Sequence, residues 1–122
     1  MRCGPARQRP ETLPASVCGA FRVPTLRNVA KRPFLFHNGS FTDLADSVRF
    51  YVQRDTNPGR WFPRDASGRV QRFNDLPMAQ RKHVNRDEAP YDRKPGQRPR
   101  LSEREISDLV AFLKTLDDGF QP

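Results

Sequence analysis

The chain has 122 residues, 12 prolines and a formal charge of +8, with a mean hydropathy of −0.83. That length allows one small domain and excludes two, and 35% hydrophobic residues exclude one continuous core reaching every segment. The basic balance, with a pI near 10.5, favours acidic partners such as nucleic acid, anionic lipid, an acidic protein or buried carboxylates. It does not choose among them, because guanidinium forks suit carboxylate and phosphate alike.

The first residues, Met1-Arg2-Cys3-Gly4-Pro5, carry charge with no apolar stretch behind it, so they do not read as a signal peptide. Residues 1–18 are Arg- and Pro-rich without periodicity and read as a disordered or non-native tail. Cys3 and Cys18 belong to no Cys-X-X-Cys pair, and no His follows either; a disulfide between them and two incidental thiols both stay open. No apolar run approaches the roughly 18 residues of a membrane-spanning helix.

Ordered sequence is expected from Gly19. Phe21 to Ala30, interrupted by Pro24, reads as extended chain leading into at most a short helical turn. Phe34-Leu35-Phe36-His37-Asn38-Gly39 is an apolar cluster closed by an Asn-Gly turn. A helix follows, with Thr42 as N-cap and Asp43 at the positive end of the dipole. Leu44, Val48, Tyr51 and Val52 recur at helical spacing, which predicts one shared inward face. Phe41 is expected to staple onto the first turn.

From Asp55 to Arg100 no long period is visible. Asn57-Pro58-Gly59 breaks the chain, Trp61-Phe62-Pro63 offers an aromatic anchor, and residues 77–85 predict a short helix with proline in its first turn. Residues 86–100 read as loop; so long an irregular stretch is functional or wrapped on a neighbour. The last helix is the sharpest element. Ser102 and Glu105 form a capping box, Ile106, Leu109, Val110, Leu113 and Leu116 form one stripe, and Asp118-Gly119 supplies the stop. The expected fold class is mainly α with long irregular loops.

Residues 19–30 (Gly-Ala-Phe-Arg-Val-Pro-Thr-Leu-Arg-Asn-Val-Ala), then Phe36-His37-Asn38-Gly39-Ser40-Phe41 and the helix ending Arg49-Phe50-Tyr51, resemble the second haem domain of the bacterial di-haem cytochrome c peroxidases and MauG proteins. The ending, Leu101-Ser102 through Leu116, does so too, and Arg54-Asp55-Thr56-Asn57-Pro58 with Trp61-Phe62-Pro63 resembles a MauG-like branch. The resemblance implies that residues 19–122 form a partial class I cytochrome c-like domain, the electron-relay half of a periplasmic oxidoreductase. Its partners would be a separate amino-terminal haem domain that reacts with hydrogen peroxide, and a protein electron donor or protein substrate.

In that family the far-side ligand of the relay haem iron is methionine in peroxidases and tyrosine in MauG proteins. The matching position is Tyr51. His37 matches a histidine beside the haem edge, and Arg27 matches an arginine whose natural partner is a haem propionate. Backbone carbonyls at Arg32 and Phe34 match calcium ligands. Met78 and His83 fall outside every matching motif and read as surface or packing residues.

Haem c attachment needs Cys-X-X-Cys-His, which this sequence lacks. The expectation is therefore a fragment or truncated gene product, inactive alone, whose parent is a cytochrome-c peroxidase-like enzyme. The alternatives are an inactive remnant, or a small basic nucleic-acid-binding protein stacking bases on Trp61, Phe62 and Tyr91. Against nucleic acid stand Glu103, Glu105, Asp108 and Asp117 in and just after the last helix.

Overall fold

The computed structural model describes residues 23–119. The Cys3–Cys18 question, the tail at 1–18 and the motif residues at 19–22 lie outside that range. Within it, helices are the only regular elements besides two isolated bridges, and no strand forms. The α-helices are α1 (Leu44–Gln53), α2 (Pro58–Trp61) and α3 (Glu103–Lys114), with 3-10 turns at Val29–Lys31 and Met78–His83.

Helix α1 starts one residue later than Thr42 would set it. Asp43 is the N-cap, in extended conformation, and its carboxylate accepts from the Asp46 N–H at 2.8 Å, which satisfies one of the four donors a helix start leaves open. The helix ends because Pro58 follows and disfavours helical conformation at Asn57, which sits at φ −133°, ψ 62°. Asn57-Pro58-Gly59 nevertheless interrupts the helical chain only briefly, since residues 54–57 alone separate α1 from α2. Pro58 opens α2, where its missing N–H is not needed.

Helix α3 carries the capping box: Glu105 N–H donates to Ser102 Oγ at 3.3 Å, and Ser102 N–H donates to Glu105 Oε2 at 2.8 Å. It stops at Thr115, not at Asp118-Gly119; Thr115 donates both its N–H and its hydroxyl to the Phe112 carbonyl, at 2.9 and 2.7 Å. Asp118 instead pairs with Arg27 and Asn28. Residues 77–85 give a 3-10 helix from Met78 to His83, not an α-helix, and none of its residues is buried. Without an apolar face to bury, so short a piece has no reason to become α.

The aliphatic core lies between α1 and α3. Val48, Val52, Ile106, Val110 and Leu113 are buried, with Val29, Leu44, Ala45, Leu101, Leu109 and Leu116 packed around them. Burying such side chains stabilises by roughly 1.5–3 kcal/mol each. At the rim Glu103 accepts from Arg49 Nε and Gln53 Nε2, both at 2.8 Å, so the start of α3 is clasped to α1.

The other side of α1 is aromatic. Phe50 touches Phe36, Phe41, Tyr51, Trp61 and Phe62, with ring centroids 5.4 to 6.2 Å away. Phe41 packs on Phe50 and Trp61. One ten-residue helix therefore separates an aliphatic layer from an aromatic one, and the second layer draws on irregular segments and the short α2.

Candidate functional site

Tyr51 does not share the face of Val48 and Val52. At about 100° per residue it lies some 60° from Val48 and 100° from Val52 but only about 20° from core-packed Leu44, so its aromatic neighbours, not its angle alone, set its direction. It is 44% exposed, whereas Val52 is 3% exposed. Its ring meets Phe36 at 5.2 Å, Phe50 at 6.2 Å and Tyr91 at 6.2 Å. These three rings make a socket that is open toward solvent, and among the described residues no side chain or backbone group hydrogen-bonds the Tyr51 hydroxyl. Burial pushes the phenol pKa up, and the nearby Arg54 charge opposes that rise.

The socket is held from two directions. Phe36 belongs to the turn that the Asn38-Gly39 pair predicts: Leu35 N–H donates to the Phe41 carbonyl at 2.8 Å and Gly39 N–H to the Phe36 carbonyl at 3.2 Å. Phe36 itself has φ 63°, a left-handed conformation costing a non-glycine residue roughly 1–2 kcal/mol. Its ring contacts with Phe41, Phe50 and Tyr51 offset that cost.

On the other side Tyr91 lies under the Arg54 guanidinium, 4.1 Å from carbon to ring centre. Arg54 is 7% and Asp55 4% exposed. Arg54 Nε donates to Asp55 at 2.7 Å, and Arg54 also donates to the Asn85 carbonyl. The second Asp55 oxygen accepts from Arg72. Arg54, Arg72 and Arg86 all lie over the ring of Phe73, at 5.1, 5.5 and 5.2 Å. Two of these guanidinium groups, those of Arg54 and Arg72, thus pair with one buried carboxylate, and Arg72 Nε has no partner among the described residues. Burial pushes the Arg72 pKa down, with the Asp55 charge opposing it. Burial likewise pushes the Tyr91 phenol up.

Of the residues singled out in the sequence, Tyr51 and the turn bearing Phe34, Phe36 and His37 come together. Phe34 is 65% exposed beside this socket's turn, and His37 is exposed at its tip. Arg32 is exposed as well. Arg27 does not join them. It sits at the carboxy-terminal end of α3, where a shallow surface depression is lined by Arg27, Thr115, Leu116, Asp117 and Asp118. Arg27 Nε donates to Asp118 at 2.6 Å and the Asn28 side-chain amide donates to Asp118 at 2.8 Å. Asn28 N–H donates to the Leu116 carbonyl at 2.8 Å, and Lys31 pairs with Asp117 at 2.8 Å. The Leu26-Arg27-Asn28 segment is therefore a clasp on the tail of α3. Met78 is 82% exposed, and His83 is exposed as well.

No family model matches the chain. Over 100 residues, 82% of this chain and 23% of the relative, it is 32% identical to the methylamine utilization protein MauG of Paracoccus denitrificans. The crystal structure of the diheme peroxidase BthA from Burkholderia thailandensis superposes with a TM-score of 0.78 at 42% identity, covering 93% of this chain and 26% of that one. A tyrosine-to-methionine variant of the same peroxidase gives a TM-score of 0.76 at 42% identity over 85% of this chain and 24% of the other. The chain belongs to the di-haem cytochrome c peroxidase and MauG family. It spans about a quarter of the length of these relatives. Among the described residues no helix is long and apolar enough to cross a membrane.

For a di-haem peroxidase segment, a haem is the group to test against this surface. The aromatic socket fits one in three respects. It presents an exposed aromatic ring at Tyr51, a hydroxyl with no competing hydrogen bond among the described residues, and a helix that fixes that residue. Calcium fits less fully. Among the described residues no backbone N–H donates to the Arg32 or Phe34 carbonyl, but no group of three His, Cys, Asp or Glu is gathered there either. A hard cation would depend on carbonyls and water.

The buried knot of Arg54, Asp55, Arg72 and Tyr91 was not recognisable as part of the site from sequence. Its one local signal is the adjacent Arg-Asp pair directly after α1.

Proposed function

We propose that residues 19–122 form the ligand side of a partial class I cytochrome c-like domain, the electron-relay haem domain of a periplasmic di-haem peroxidase or MauG-like oxidoreductase. The observation that carries the reading is the Tyr51 socket: a half-exposed phenol on a rigid helix, ringed by Phe36, Phe50 and Tyr91 and facing outward with its oxygen unpaired among the described residues. The relatives' names, a MauG protein and a diheme peroxidase, support haem as the group it meets.

When bound, the haem would supply the iron-centred electron chemistry. Tyr51 would be the axial ligand. A phenolate oxygen is anionic and hard, so it favours ferric or higher iron and lowers the potential, where a methionine thioether does the reverse. The domain would thus store oxidising equivalents taken from hydrogen peroxide elsewhere in the protein, and pass them to a protein donor or substrate. Covalent attachment would come from a Cys-X-X-Cys-His outside this sequence.

His37, on the turn next to Phe36, would order the haem edge or its water. Arg27 would serve a propionate by sharing its guanidinium with Asp118, its present partner. The Arg32 and Phe34 carbonyls would contribute to a calcium site.

Expression of this chain within a protein that also carries the Cys-X-X-Cys-His, in a host that matures c-type cytochromes, gives the haem-loaded protein that tests this reading. Tyr51→Phe should change the electronic spectrum of one haem and leave any other as it was. An unchanged spectrum removes Tyr51 from the iron.

A further inference from the structure

Resting on the assignment of Tyr51 as the ligand side chain, we propose that Tyr91 is a positioning residue: its ring, pinned by the Arg54 guanidinium, walls Tyr51 and keeps that phenol turned toward the open side of the socket.

Tyr91 stands on an irregular segment forty residues along the chain from Tyr51, where no helix or strand fixes it. Its place is nevertheless over-determined. Tyr91 N–H donates to the Glu88 carbonyl at 2.7 Å. Upstream, the Asn85 carbonyl accepts from Arg54. Downstream, Gly96 N–H donates to the Thr56 carbonyl at 2.9 Å. Both anchors are on the four-residue turn that leaves α1, so the loop is tied at each side of Tyr91 to the helix that carries Tyr51. The guanidinium of Arg54, itself held by buried Asp55, then covers the ring at 4.1 Å.

A plain packing role would not require this much. Loops are pinned adequately by apolar side chains, whereas a buried Arg–Asp–Arg cluster is costly to desolvate and contributes little net stability over hydrophobic replacements. What a rigid charged clamp supplies is geometry. A ligand must be held within about half an ångström of its productive position by neighbours whose own rotamers are locked. Phe36 and Phe50 bound two sides of Tyr51 and Tyr91 bounds the third. Without Tyr91 the Tyr51 ring gains a second resting place, swung toward residues 85–96.

The sequence holds two tyrosines, so labelling with 3-fluorotyrosine gives a fluorine spectrum with one line for each. In Tyr91→Phe the remaining line, from Tyr51, should stay at its wild-type position, because the wall is kept. In Tyr91→Ala it should narrow and move toward the position of a solvent-exposed fluorotyrosine. Arg54→Lys should act in the same direction, and Tyr91→Ala decides the matter if that buried variant fails to fold. In the haem-loaded protein Tyr91→Ala should split one haem's spectrum into ligand-bound and ligand-free populations, with Tyr91→Phe restoring the single form. If Tyr51→Phe changes the haem spectrum while Tyr91→Ala changes neither the haem nor the Tyr51 line, Tyr91 positions nothing and the ligand reading alone survives. If Tyr51→Phe leaves the haem unchanged, the ligand reading falls and takes this inference with it.

Discussion

Arg54 covers the ring of Tyr91, its guanidinium carbon 4.1 Å from the ring centre, and both lie against the helix end that presents Tyr51. The stacking is worth roughly 0.5–2 kcal/mol by itself. Its larger consequence is that a charge network, not an apolar core, decides where the irregular half of the domain sits.

Asp55 is the residue on which that network turns. It is 4% exposed and answers both Arg54 and Arg72. Asp55→Asn leaves guanidinium charge buried without its carboxylate and should destabilise the fold by about 3–5 kcal/mol. Chemical denaturation measures the loss, and hydrogen exchange should place the greatest change in residues 85–96. A midpoint within error of wild type would mean that the loops are held by something else.

The aliphatic layer predicts a contrast within one helix. Ile106 is 1% exposed and Phe112 56% exposed. Ile106→Ala should cost about 2–5 kcal/mol, and Phe112→Ala no more than about 0.5 kcal/mol. Comparable losses at the two positions would contradict the packing of α3 on α1.

The clasp between the helices gives a pH dependence. Hydrogen bonding from Arg49 holds the Glu103 carboxyl below its usual range. The folded pKa lies under the unfolded one, so the contribution is complete above the ordinary glutamate value and disappears as pH falls through the folded value. The pair is largely exposed, so the effect is small and weakened by salt. Melting temperature followed downward from neutral pH should drop less steeply in Glu103→Gln than in wild type. Parallel curves would show that the clasp has no stabilising role.

How much of this was readable beforehand follows from the range of the interactions. Helix α3 was legible because its signals are local: the capping box spans four residues and the stripe repeats within one element. The Asn38-Gly39 turn was legible for the same reason. The N-cap of α1 was misplaced by one residue because Thr42 and Asp43 are both capping types. The face of Tyr51 was misjudged because an i, i+4, i+7, i+8 pattern covers a wide arc, and Phe50 signals a second apolar layer only once Phe36, Phe41, Trp61 and Phe62 are known to meet it. Asp118 looked like a helix stop, yet its partners Arg27 and Asn28 lie 91 and 90 residues away. The Arg54 knot was invisible for the same reason, since Arg72, Asn85 and Tyr91 converge on it from separate irregular segments.

The most direct test is the reduction potential of the haem-loaded protein with Tyr51→Met. A neutral, soft thioether in place of an anionic oxygen should raise the potential of one haem well above its wild-type value, and leave the other where it was. Potentials unchanged at every haem would contradict the placing of Tyr51 at the iron.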